Sequence, residues 1–83
     1  MDQQEVTADF LKNELQTGIT FADLALTARH EDRRERNKAN ARKAYDTALR
    51  FMSTGSPTPK ITAEMEDRLE HLRAQLKKLG ETV

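Results

Sequence analysis

The sequence of 83 residues contains no cysteine and no tryptophan. Without cysteine, disulfide cross-links and thiolate metal sites are excluded, and a common mark of small secreted domains is missing. No segment has the about 18 consecutive apolar residues that a membrane-spanning helix needs. Residues 1–5 are polar and acidic, unlike the start of a signal peptide. We therefore expect a soluble, cytoplasmic protein without a membrane partner.

Large apolar side chains are scarce as well. Apolar residues make up 36% of the chain, and the aromatic residues are three phenylalanines and one tyrosine. A chain of this length buries only about 60–65% of its unfolded surface. We expect a thin core within a single domain that spans residues 1–83. Self-association would enlarge that core, so a monomer and a homodimer both remain open.

The chain also lacks an excess of one charge, since 14 basic residues balance 14 acidic ones. The charges are nevertheless separated along the sequence. Residues 1–32 contain seven acidic and two basic residues, a net charge of −5, whereas residues 33–50 contain two acidic and seven basic residues, a net charge of +5. Such a separation either guides the choice of a partner or holds the two parts of the chain together.

The clearest pattern lies in residues 40–51. Ala41, Tyr45 and Ala48 recur at spacings of four and three, which places them on one side of a helix. Small side chains let a neighbouring helix approach closely, and the tyrosine ring fills the remaining gap. The pattern is typical of the inner helix of an α-helical hairpin.

Turn residues and capping signals divide the chain into helices, and no segment shows the alternation of a strand. Gly18 suits the left-handed residue that ends a helix, and Thr20 with Asp23 has the spacing of a capping box that starts the next one. Residues 53–59, rich in Ser, Thr, Gly and Pro, are the expected linker. The predicted helices are residues 3–16, 21–30, 33–53 and 60–79.

The polar segment at residues 29–38 allows two interpretations. A single helix over residues 21–52 would be a rod of about 48 Å. A break near His30 would instead let the apolar faces of residues 21–28 and 41–52 meet. We favour the break, because a compact core of this size needs those two faces in contact.

The last helix carries a short leucine seam that favours packing inside its own chain over packing on the helix of another chain. Thr58 or Thr62 is the expected N-cap, and Gly80 is the expected end. The seam consists of Met65, Leu69, Leu72, Leu76 and Leu79.

Together these patterns predict an all-α protein, a small antiparallel bundle of three to four helices. The expected core residues are Phe10, Leu15, Leu24, Ala28, Ala41, Tyr45, Ala48, Met52, Leu69, Leu72 and Leu76.

Catalytic signals are weak. His30 precedes Glu31 and Asp32, and His71 follows Asp67 by four residues, so a metal contact is conceivable at each place. An ordinary solvated helix surface explains both groups equally well. The three glycines are isolated, which argues against a phosphate-binding loop. We expect no enzyme activity, no metal and no cofactor.

The basic segment at residues 33–50 is a candidate surface for phosphates or for an acidic partner. Arg36 and Lys43 share one side of the predicted helix. Aromatic residues for base stacking and a helix-turn-helix pattern are missing there, and a solvated face that complements the acidic first third is the alternative. The candidate partner-binding residues are Arg33, Arg34, Arg36, Lys38, Arg42 and Lys43.

Two segments resemble a known helical hairpin. Residues 21–28, with the sequence FADLALTA, resemble the first helix of a tetratricopeptide-type hairpin, and the pattern Ala41-x-x-x-Tyr45-x-x-Ala48 resembles its second helix. With a third helix after a short linker, residues 20–79 are similar to the three-helix MIT domain.

The resemblance implies a non-catalytic protein-interaction or scaffolding module, because these families bind peptides or partner helices in grooves between helices. The chain departs from them in its longer, charged connection and in having one hairpin where tetratricopeptide arrays have several. The alternative function is a nucleic-acid-binding accessory protein that uses the basic helix at residues 33–50.

Overall fold

A computed structural model describes the backbone of residues 3–54 and 62–83, and the side chains of residues 8–53 and 62–83. These residues form three helices and no strand, which confirms the prediction of an all-α helical bundle. The predicted linker lies outside the described residues from residue 55 onwards, and its first two residues belong to the second helix. The helices are α1, Gln3–Thr27; α2, Glu31–Thr54; and α3, Ala63–Lys78.

The chain breaks between α1 and α2, as the polar segment predicted. Residues 28–30 connect the two helices. The amide of Arg34 donates to the carbonyl of His30 at 3.0 Å, which closes the first turn of α2. Glu31 and Asp32 occupy that turn, where negative charge is favourable against the helix dipole. The interpretation as a single rod is therefore wrong.

Gly18 does not end a helix, contrary to the prediction. The helix continues through it, so the two helices predicted on either side are one element. A Cβ atom on Gly18 would lie 2.6 Å from Cδ2 of Leu72 and 3.1 Å from Cβ of Ala44. Gly18 therefore allows α2 and α3 to approach α1 at the same level. The hydroxyl of Thr20, the predicted cap, instead donates to the carbonyl of Gln16 at 3.0 Å within the continuous helix.

One side of α1 faces the core. It carries five buried residues at spacings of four, three, four and three, named here the inner row: Leu11, Leu15, Gly18, Ala22 and Ala25. The buried apolar residues of all three helices form one cluster. This cluster confirms six of the predicted core residues: Leu15, Ala41, Tyr45, Ala48, Leu72 and Leu76.

Two predicted core residues are exposed instead. Phe10 is 39% exposed and Leu24 is 48% exposed. Leu24 follows Leu15 by nine residues, or about two and a half turns, so a continuous helix places it on the side opposite to Leu15. The prediction failed because it treated the two parts of α1 as separate helices. Three further predicted core residues are half-buried: Ala28, Met52 and Leu69.

The ends of α3 follow the sequence signals. The Thr62 hydroxyl accepts a hydrogen bond from the Met65 amide at 3.2 Å, which identifies Thr62 as the N-cap. The other candidate cap, Thr58, lies outside the described residues. Gly80 adopts a φ of +91°, and its amide donates to the Lys77 carbonyl at 3.0 Å. A left-handed glycine ends the helix here, as predicted.

Polar contacts join α1 to α3 on one side of α1. The amide of Gln75, a buried residue of α3, donates from Nε2 to Oδ1 of Asp23. Further along, Nζ of Lys12 lies 3.5 Å from Oε2 of Glu64. These two contacts mark the side of α1 that α3 covers.

Tyr45 provides the polar link between α2 and α3. Its ring is buried, and its hydroxyl accepts a hydrogen bond from Nε of Arg73 at 3.1 Å. This hydrogen bond is the main cause that raises the pKa of the Arg73 guanidinium above its ordinary value. The bundle measures 43 × 20 × 19 Å. Within the described ranges, no helix has the length and hydrophobicity to cross a membrane.

Candidate functional site

The six predicted partner-binding cations differ in exposure, and Lys43 of the exposed group and Arg42 of the half-buried group line the same depression. Arg33, Arg36 and Lys43 are exposed. Arg34, Lys38 and Arg42 are half-buried.

Two residues of the half-buried group, Lys38 and Arg42, form ion pairs within the chain. Nζ of Lys38 lies 3.1 Å from Oε2 of Glu35, and the hydrogen bond between them lowers the pKa of the Glu35 carboxyl. Arg42 donates from Nε to Oδ1 of Asp46 at 3.1 Å and from Nη1 to the Thr82 carbonyl at 3.0 Å. Arg42 therefore ties α2 to the segment that follows α3.

The exposed group lies on the side of α2 that faces away from α3. Lys43 stands two residues before Tyr45, which contacts α3, and two residues correspond to about 200° around a helix. Arg36 precedes Lys43 by seven residues and shares its side, and Arg33 is one turn further towards the start of α2. No carboxylate of the described residues lies within 4.0 Å of their charged nitrogens. We name these three residues the cationic row.

The side of α1 that faces away from α3 carries a second row of residues, all apolar except Thr17. Phe10 and Phe21 stand two residues before Lys12 and Asp23, which contact α3, so each lies about 200° from that contact. Residues on the same side follow at spacings of seven, four, three and four. We name them the outer row: Phe10, Thr17, Phe21, Leu24 and Ala28.

The two ends of the outer row differ. At one end the ring of Phe10 meets the ring of Phe51 on α2, with 4.7 Å between centroids and 38° between planes. At the other end Leu24 lines an open depression of about 300 Å³ that includes Arg33 of the cationic row. The remaining residues around this depression are Thr27, Ala28, Arg29, His30 and Asn37.

A larger depression of about 480 Å³ runs along α2 beside Glu81. Lys43 and Arg42 line it, but so does Asp46, which is paired with Arg42. The mixture of charges gives this surface no preference for a ligand of one sign.

No group of three His, Asp or Glu side chains in the described part of the chain is placed to hold an ion. His30 lies beside Leu24 in the smaller depression, and His71 is exposed on α3. Neither histidine is joined there by the two further ligands that a site would need.

Sequence reasoning missed the outer row as a surface because it assigned Phe10, Leu24 and Ala28 to the core. The signal that could have revealed it is the number of apolar residues in α1. They occupy two sides of the helix, and one small core cannot bury both.

Comparison with known proteins gives no relative. No protein-family model, no curated protein and no solved structure matches this chain. The resemblance to tetratricopeptide and MIT modules therefore stays a prediction that rests on the quoted residues alone.

Proposed function

We propose that the protein is a non-catalytic interaction or scaffolding module that binds a partner helix or peptide along the outer row. The observation that carries this proposal is the exposure of Leu24 and Phe10 on a side of α1 that α3 does not cover. Phe10 and Leu24 are exposed on the same side of α1, with the half-buried Phe21 between them, and apolar residues along one side of a helix favour docking of an amphipathic helix.

The proposal includes an antiparallel course for α1 and α2. Phe10 contacts Phe51, whereas Gly18, later in α1, approaches Ala44, earlier in α2. The connection at residues 28–30 is short, which suits neighbouring helices of opposite direction. Such a pair leaves a long groove between its helices, as in the hairpins that the sequence resembles.

Site-specific photo-crosslinking tests this function. A photoreactive phenylalanine analogue at position 24 is expected to form an adduct with a partner protein in cells that express the chain. Position 26 is the matched control, because Leu26 is 37% exposed but lies about 200° around α1 from Leu24. Mass spectrometry then identifies the adduct. Equal adducts from both positions, or none from position 24, would contradict the proposal.

The alternative function is nucleic-acid binding through the cationic row. Its support is the exposure of Arg36 and Lys43 on one side of α2, without a carboxylate partner among the described residues. If phosphates are the ligand, retardation of a labelled oligonucleotide weakens strongly between about 50 and 200 mM salt. The double variant Arg36→Ser and Lys43→Ser abolishes the retardation. Binding that is insensitive to salt would exclude phosphate contacts as its source.

A further inference from the structure

We infer that the occupant of the outer row is an acidic amphipathic helix, whose apolar ridge is bordered by Asp and Glu on one flank. The inference rests on the proposed function and adds the chemistry of the partner. It follows from the position of the cationic row beside the outer row.

Both rows lie on the same side of the helix pair. The outer row of α1 and the cationic row of α2 each lie about 200° from the contacts that their helices make with α3. α1 and α2 approach each other through Gly18 and Ala44, and Lys43 directly precedes Ala44. The cationic row therefore borders the junction of α1 and α2. A helix laid along the outer row would have these cations on one flank.

The cations of this flank are available to a partner. Arg33, Arg36 and Lys43 are exposed and make no ion pair with the carboxylates that the structure describes. By contrast, Lys38 and Arg42 are held by Glu35 and Asp46. Unpaired cations beside an apolar row favour a partner with carboxylates at that position and disfavour one with lysines.

The opposite flank of the outer row has a different character. There Asn13, Gln16, Thr17 and Thr20 line a depression of about 310 Å³ together with Phe21. All four polar residues are uncharged, and Asp9, four residues before Asn13 on the same side of α1, is exposed, so this flank offers no cation to an acidic residue. The preference for acidic residues is therefore one-sided, and it is strongest at the Leu24 end, where Arg29 and Arg33 both line the depression.

A displayed peptide library tests the inference with the full chain as target. The library holds amphipathic helices of about 20 residues, long enough to be helical when bound. Their apolar positions are fixed, and the positions on both flanks vary among Glu, Lys and Gln. We expect the selected helices to be enriched in Glu on one flank and unbiased on the other. Enrichment in Lys, or no bias on either flank, would overturn the inference.

Charge reversal provides the matched variant. The triple substitution Arg33→Glu, Arg36→Glu and Lys43→Glu should weaken binding of a Glu-flanked helix by about tenfold or more. Selection on this variant should then favour Lys on the same flank. Unchanged affinity for the Glu-flanked helix would show that the cationic row does not contact the partner.

Leu24→Glu and Leu26→Glu separate this inference from the proposed function. Binding of the selected helices should be lost in the first variant and kept in the second, while circular dichroism melts confirm that both are folded. Binders that need Leu24 but show no charge preference overturn the acidic partner and leave the interaction module standing. If no binder depends on Leu24, the proposed function itself fails.

Light scattering on the purified chain tests the competing occupant. A monomer is expected at all concentrations. A dimer that Leu24→Glu dissociates, and Leu26→Glu does not, would assign the outer row to a second copy of this chain and overturn the acidic partner.

Discussion

The inner row of α1 is buried, whereas the outer row is only partly so: Phe10 and Leu24 are exposed, and Phe21 is half-buried against the core cluster. The inner row ends in Gly18, Ala22 and Ala25, whereas the outer row carries the larger side chains of Phe10 and Phe21. Leu11 and Leu15 of the inner row are fully buried as well, and at Gly18 the absence of a side chain lets α2 and α3 approach α1 closely. The comparison teaches that small residues on one face of a helix let its neighbours pack closely there, while large apolar residues on another face stay partly exposed.

The largest expected difference in stability is between truncating a buried aromatic residue, Tyr45, and truncating an exposed one, Phe10. Tyr45→Ala should lower the free energy of unfolding by about 3–5 kcal/mol, because the ring is 4% exposed. Phe10→Ala should cost only about 1 kcal/mol, mainly from its contact with Phe51. Urea denaturation measures both. A loss below about 0.5 kcal/mol for Tyr45→Ala would be incompatible with a buried ring.

A leucine from each row tests the comparison within α1 itself. Leu15→Ala should lower the free energy of unfolding by about 2–5 kcal/mol, because it leaves a cavity in the buried cluster. Leu24→Ala should change it by about 0.5 kcal/mol at most, since the side chain is half solvated. Both variants are compared by urea denaturation at constant m-value. Similar losses at the two positions would erase the distinction between the rows.

Gly18 inside α1 tests close helix approach directly, and Gly80 after α3 is the control because the described residues leave open space around a Cβ atom placed on it. Gly18→Ala should lower the free energy of unfolding by about 1 kcal/mol, because steric overlap with Leu72 exceeds the gain in helix propensity. Gly80→Ala should cost a similar amount, about 1 kcal/mol, for a different reason, its φ of +91°. In a Leu72→Ala background, the loss of stability caused by Gly18→Ala should become smaller, and the loss caused by Gly80→Ala should stay the same. An equal reduction of both would refute the steric explanation.

The smallest expected effect is on the pKa of Glu35, a residue of α2 that belongs to neither row of α1. The pKa of Glu35 is lowered from its ordinary value of 4.5, chiefly by the hydrogen bond with Lys38. The Lys38–Glu35 pair therefore contributes its full stabilisation at pH values above the ordinary pKa of 4.5. This stabilisation is lost as the pH falls through the lowered pKa of the folded state. In Lys38→Met, an NMR titration of Glu35 should show its pKa returning towards 4.5. An unchanged titration would exclude Lys38 as the cause.

The sequence was sufficient to predict the buried side of a helix where that helix carries a single apolar row. Ala41, Tyr45 and Ala48 are the buried side of α2, as their spacing indicated. The break near His30 was predicted from the need for a compact core, and Thr62 was one of the two candidate N-caps that capping rules offered. Capping rules act within a few residues and need no knowledge of the neighbouring helices.

The failures in α1 have one physical origin. A glycine can end a helix or admit a neighbouring helix, and the sequence around Gly18 does not distinguish these roles. Once Gly18 was taken as the end of a helix, the angular position of Leu24 relative to Leu15 around one continuous helix could no longer be predicted. Which side α3 covers is decided by tertiary packing, and spacing along one helix cannot supply it.

The alanine-rich centre of the bundle has a further consequence for its energetics. Glycine and alanine have no side-chain rotamers to lose, so burying Gly18, Ala22 and Ala44 adds almost nothing to the side-chain entropy that is lost on folding. The same positions cannot adapt, because a methyl group has no alternative conformation with which to yield to a larger neighbour. Any enlargement on one helix must therefore be matched by a reduction on the facing helix, and these positions should vary as pairs.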